Sequence, residues 1–129
     1  MAKLRLSTLR KTWIIDLDGV IFTHNRYIDK DKIKYDRLLP GVKSFLSKID
    51  KRDYILLTSA REHRYRKYTK MMLKKHGIRY DKLITGLPSG ERILINDRKP
   101  SGLRTAYSIN LKRDRGPKEI RILKEREVK

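Results

Sequence analysis

Apolar residues along the chain fall into short dense runs separated by spaced stripes. Trp13-Ile14-Ile15 is the first dense run, and it ends in Asp16 and then Asp18-Gly19. A β-prone apolar run bounded by Asp and Gly predicts a buried strand over about Thr12 to Asp16 that delivers its end to a turn. Side chains two apart on a continuing strand point the same way, so Asp16 and Asp18 are expected to face one volume past its carboxyl end. Open α/β sheets bind their ligands at that end.

The stripes follow. Gly19 to Pro40 is polar and irregular, roughly twenty residues without clear periodicity, a length that marks a functional or disordered loop. Val42, Phe45, Leu46 and Ile49 recur at helical spacing and predict a helix with one apolar face. Asp53 to Thr58 is the second dense run. Ser59-Ala60-Arg61 then turns into a helix expected from about Glu62 to His76, stopped by Gly77. On it Tyr65, Tyr68, Met72 and His76 form a stripe that reads as core packing rather than a base-stacking platform. A short strand is expected over Lys82 to Thr85, another apolar strand over Arg92 to Asp97, and a last short strand over Ala106 to Asn110. Residues 1–11 are basic and weakly patterned, an arm or an edge. Gly116-Pro117 opens a charged tail in which Ile120 and Leu123 leave a docked helix or a mobile end open. Strands alternating with helices predict a parallel sheet with right-handed crossovers.

At 129 residues the chain holds one domain with a real core. It has no cysteine, which removes disulfides, thiolate catalysis and zinc–cysteine sites, and His24, His63 and His76 show no metal-ligand spacing. No run reaches the length of a membrane span, and the first residues lack a signal peptide's apolar core, so a cytoplasmic location is the expectation. The formal charge of +19 and a pI near 10.4 suit nucleic acid, anionic membrane or phosphorylated substrates, or simply a soluble basic surface.

Three predicted strands end in polar groups: Asp16/Asp18, Thr58/Ser59 and Asn96/Asp97. In a parallel sheet these ends lie on one side. An apolar strand ending Asp-x-Asp-Gly (Trp13 to Gly19), a second ending in Thr58, and a third ending Asn96-Asp97 together resemble the haloacid dehalogenase superfamily of phosphohydrolases. Leu57-Thr58-Ser59-Ala60-Arg61-Glu62, Tyr80 to Ile84, and Leu94 to Pro100 with Ala106 to Asn110 are more narrowly similar to small capless members associated with capsule and surface-polysaccharide biosynthesis and with phages.

The resemblance runs from about Lys11 to Gly116. It implies that Asp16 is the nucleophile that forms an aspartyl phosphate, and that Asp18 is the acid and base. It further implies magnesium held by an Asp16 oxygen, the Asp18 main-chain carbonyl and Asp97, with Asn96 a further oxygen. Thr58, or its neighbour Ser59, is expected to bind a phosphoryl oxygen. Two departures stand out. The fourth motif carries Asn96 where many relatives have a second acid, and no lysine occupies a Gly-Lys-Pro setting, since the loop reads Gly86-Leu87-Pro88. Arg61, Arg92 and Lys99 are the candidate phosphate-binding cations.

The expectation is thus a Rossmann-like α/β domain over 1–116, followed by the basic tail 117–129. Its parallel sheet has about five strands ordered 3-2-1-4-5, with helices on both faces and a minimal cap. The expected activity is a magnesium-dependent phosphomonoesterase acting on a phosphorylated sugar or sugar acid, its open site leaving room for a homo-oligomeric partner as lid. The alternatives are a nucleic-acid 3′-end phosphatase, or a catalytically weak, basic polyanion-binding module on the same fold.

Overall fold

The computed structural model describes residues 2–24 and 30–124. Its strands are β1 (Ala2–Leu6), β2 (Thr12–Asp16), β3 (Tyr54–Thr58), β4 (Lys82–Ile84) and β5 (Ile120–Lys124). The helices are α1 (Lys30–Ile33), α2 (Val42–Ser47) and α3 (Arg66–Lys75), with single 3-10 turns at His63–Tyr65 and Pro117–Glu119. The strands are parallel throughout, so the chain is α/β, but they form two small sheets: β2-β3-β4 and β1-β5.

The three-stranded sheet positions the candidate site. Trp13, Ile14 and Ile15 of β2 pair with Ile55, Leu56 and Leu57 of β3, and Leu83 of β4 pairs with Leu57. The register is pinned at the amino ends of the strands by a buried carboxylate. Asp53 accepts from the Lys11 N–H and from the Trp13 indole Nε1, both at 3.0 Å, while the Tyr54 N–H donates to the Lys11 carbonyl at 2.8 Å. Trp13 meets Phe45 of α2 edge-on, with ring centroids 5.9 Å apart. Ile15, Leu17, Ile55, Leu57, Leu73 and Leu83 fill the core between sheet and helices.

The expected single sheet of about five strands is corrected here. Its first three members lie side by side in the expected order, but Arg92–Asp97 and Ala106–Asn110 are not strands. Ile93 is 82 %, Leu94 57 % and Ile95 90 % exposed. A dense apolar run becomes a strand only when a neighbour supplies the ladder, and among the described residues none pairs with Ile93–Ile95, while the residues that follow bond locally. Lys99 N–H donates to Leu103 O, Gly102 N–H to Lys99 O, Asp97 N–H to the Asn96 side chain, and the Thr105 hydroxyl to Asp97 O. Residues 96–105 thereby close on themselves as a turn. Among the described residues β2 has a partner strand on one edge only, and its Ile14 is 51 % exposed.

The two ends of the described chain also differ from expectation. In place of a docked helix, the tail forms β5, which pairs with β1 from Ala2↔Ile120 to Leu6↔Lys124. Alternating β-branched Ile120 and Ile122 favour that pleated pairing, and both pack against the core. Val128 and residues 125–129 lie outside the described residues. Gly116, at φ +79°, turns the chain into this strand so close to the Pro40 carbonyl that a Cβ has no room.

The stretch from Gly19 to Pro40 is less loop-like than its composition suggests. Ile21, Phe22 and Ile33 are completely buried, and Leu39 nearly so. On α3 the core-facing residues are Thr69, Met72 and Leu73, while Tyr68 is 37 % exposed, so the expected tyrosine stripe is rotated partly out of the core. Among the described residues, no helix is long and apolar enough to cross a membrane.

Candidate active site

β2 and β3 end together. Asp16 is the register partner of Thr58, and the Leu17 N–H donates to the Thr58 carbonyl at 3.0 Å. Beyond Leu17 the chain reverses: Ile21 and Phe22 N–H both donate to the Leu17 carbonyl, and Gly19 N–H donates to Phe22 O at 2.7 Å. Gly19 takes φ +85°, a conformation costly for any residue with a Cβ, and the Arg113 side chain lies against it. The Asp114 N–H donates to the Gly19 carbonyl and its carboxylate accepts from the His24 N–H at 2.7 Å, tying the segment before the tail to the rim of the turn.

This turn separates the roles of the two carboxylates. Asp16 stands open to solvent at the strand end, yet enough protein surrounds its carboxyl that desolvation raises its pKa above the ordinary carboxylate value. The hydrogen bond from the Leu17 backbone opposes that shift, the Asp18 charge adds to it, and Arg92 and His24 oppose it.

Asp18 is instead gripped by Arg61. The guanidinium donates from Nε to both Asp18 oxygens at 3.1 and 3.2 Å and from Nη2 to Oδ1 at 2.8 Å. The same guanidinium donates to both oxygens of buried Asp36, at 2.9 and 3.0 Å, and from Nη1 to the Thr69 hydroxyl at 3.2 Å. These bonds engage all five guanidinium N–H groups. Burial works against the Arg61 charge, but hydrogen bonds and charge from the two aspartates outweigh it and hold the pKa above the ordinary value. Asp36 is pushed the other way for a carboxylate: burial raises its pKa, and Arg61 only partly offsets this.

Around this clamp, Ser59 is fully buried. Its hydroxyl accepts from the Arg61 N–H at 3.0 Å and lies 3.5 Å from an Asp18 oxygen. Phe22 lies beneath the guanidinium, its centroid 5.8 Å away, and His76 Nε2 donates to the Asp36 carbonyl at 3.1 Å.

Thus the structure gathers Asp16, Asp18, Thr58, Ser59 and Arg61. Arg61 is placed as a buried structural cation, with no donor left for a phosphate while the clamp stands. Arg92 feels the Asp16 charge and caps the Pro88 and Gly90 carbonyls at 2.7 Å. Asn96, Asp97 and Lys99 belong to the exposed 96–105 turn, and no described hydrogen bond or ion pair joins them to Asp16 or Asp18. Among the described residues no three acidic or histidine side chains stand close enough to share a metal ion. In this arrangement the expected magnesium ligands do not come together as a set of three. Sequence reading missed Asp36 and Arg113. Asp36 sits in a patternless polar stretch and meets the site only through the fold, and Arg113 is one of many basic residues.

Comparison with protein-family models, with curated proteins and with solved structures finds no match to this chain.

Proposed function

We propose that the chain is a phosphomonoester hydrolase in which Asp16 attacks phosphorus in line and forms an aspartyl phosphate. The observation that carries this reading is the pairing of Asp16 with Thr58 at the carboxyl ends of adjacent parallel strands, with Asp18 two residues on. A nucleophile and a hydroxyl able to donate to a phosphoryl oxygen then share one strand-end volume, where α/β sheets bind ligands. The raised pKa of Asp16 reflects a carboxylate incompletely compensated by its surroundings, which suits a group that meets a cation or a reacting phosphoryl group. Asp18 is the acid and base. Arg61 fixes its side chain through both carboxylate oxygens. Asp18 gives a proton to the leaving ester oxygen as its bond to phosphorus breaks, then takes a proton from the water that displaces inorganic phosphate from Asp16.

The finer fold belongs to the same proposal. β2 has an open edge with exposed Ile14, and Ile93–Ile95 are exposed apolar residues without a ladder. Docking of residues 92–97 along that edge extends the sheet to the order β4-β3-β2 followed by residues 92–97, the first four members of the expected order, and carries Asn96 and Asp97 to the Asp16 end of the sheet. Magnesium is the expected cation of that closed form. A phosphorylated sugar or sugar acid is the proposed substrate class, on the resemblance alone. The minimal cap that the resemblance implies leaves the bulk of the substrate outside the site, or covered by a second copy of the chain.

The clamp on Asp18, and the lack among the described residues of three acidic or histidine side chains able to share a metal ion, favour a second reading, a catalytically weak binding module. Phosphate release from a panel of phosphomonoesters with magnesium decides between them. The hydrolase reading expects release that Asp16→Asn abolishes. Release unchanged in that variant, or none from the wild type, contradicts it.

A further inference from the structure

An open concave surface lies on the outer face of α3, lined by none of the carboxylate-site residues. Lys67, Lys70, Met71 and Lys74 recur at i, i+3, i+4 and i+7, so they share one side of the helix, opposite buried Thr69, Met72 and Leu73. With His63 and Arg66 they line an open groove of about 600 Å³. Among the described residues Lys67, Lys70 and Lys74 have no acidic partner, whereas Arg64, which also lines the groove, is paired with Glu62, and Arg61 of the carboxylate site is held by two aspartates. Lys67 to Lys74 covers two helical turns, about 10 Å of unneutralised positive charge.

We propose that this groove binds the phosphate backbone of a nucleic-acid strand. A row of cations fits a linear polyanion, which presents a charge every few ångströms along its length and releases counterions when lysines replace them. The chain's +19 charge supplies the long-range attraction, and the groove supplies the place. A membrane surface fits less well, because an interfacial helix opposes its cations with a broad apolar face for the lipid, and here that face is already in the core. Exposed Met71 adds a soft apolar contact between the lysines that suits an unstacked base. The groove begins at His63, whose Nδ1 meets the Thr85 hydroxyl at 2.9 Å beside Gly86, and the Gly86 N–H donates to the Arg61 carbonyl at 2.7 Å. A strand lying along α3 therefore runs toward the rim of the carboxylate site. Binding does not depend on hydrolysis.

The test is fluorescence anisotropy of a labelled single-stranded oligonucleotide with the full chain over a range of salt. Lys67, Lys70 and Lys74 are replaced together by Ala, which keeps a good helix former at each position. The control replaces exposed Lys43, Lys48 and Lys51 by Ala, with the same loss of charge, and circular dichroism verifies that both variants fold. The expected result is binding at least about tenfold weaker in the groove variant, with a salt slope lower by about two, and a much smaller change in the control. Equal weakening in both variants assigns binding to diffuse charge and overturns the groove. An oligonucleotide that does not bind the wild type, including the case where anionic phosphatidylserine vesicles do bind, overturns it as well.

Discussion

Arg61 donates to both carboxylate oxygens of Asp18, at 2.8 to 3.2 Å, and with the rest of the same guanidinium holds buried Asp36. The grip joins three separate parts of the chain: the turn after β2, the loop after β3 and the segment that follows α1. It makes the position of the proposed acid and base a property of the fold.

Truncating Arg61 leaves two carboxylates facing each other with their shared counterion gone. Arg61→Ala is expected to cost about 3–5 kcal/mol, measured by urea unfolding. Arg61→Lys recovers little of this, since an ammonium cannot span both carboxylates as a planar fork does. A loss under about 1 kcal/mol for Arg61→Ala means that the clamp is not formed in solution.

The Asp16 pKa gives a pH-dependent prediction. Its folded-state value lies above the unfolded one, so the folded state binds the proton more tightly, and stability falls as pH rises through the folded pKa. Asp16→Asn removes that cost. The variant is expected to be more stable than wild type at neutral pH, with the difference closing as pH falls below the ordinary carboxylate value. Thermal melts across acidic to neutral pH check this, and a variant that is less stable at neutral pH contradicts it.

Asp53 orders the other end of the same strands. It is buried and accepts from the Lys11 backbone and the Trp13 indole. Asp53→Ala strands both donors and is expected to cost about 3 kcal/mol in denaturant unfolding. Near-ultraviolet circular dichroism of Trp13, the single tryptophan, should weaken with it.

Docking of the 92–97 segment predicts a change in amide exchange. Free Ile93, Leu94 and Ile95 amides are expected to exchange fast, and to slow at least about tenfold when magnesium and a phosphate mimic such as vanadate are added, as a ladder along β2 forms. Ile95→Asp is expected to lower phosphate release while leaving unliganded stability within about 0.5 kcal/mol. Exchange that stays fast with both ligands present contradicts the proposed sheet order.

What the sequence made legible followed from local pattern. The runs at Trp13–Ile15 and Ile55–Leu57 carried enough β-branched and apolar residues to mark buried strands, and the same pattern put Asp16 at the strand end; Asp18, expected on a continuing strand, lies in the turn beyond it. The order of the first three strands came from the family resemblance rather than from local pattern, and the β2-β3-β4 order agrees with it. The run at Ile93–Ile95 looked the same locally, but a strand also needs a partner edge, which no local pattern encodes. Asp36 was illegible for a related reason: nothing near it in sequence shows that Arg61 will reach it. β1 and β5 lie at opposite ends of the chain, and only the fold pairs them.

The central claim is that Asp16 becomes covalently phosphorylated. Rapid acid quenching of the enzyme during turnover of a phosphomonoester with magnesium, followed by peptide mass spectrometry, tests it most directly. The account predicts a phosphoryl group on the Asp16 residue of the Trp13–Val20 stretch, absent in Asp16→Asn. Turnover without any protein-bound phosphate, or with Asp16→Asn as active as wild type, contradicts it.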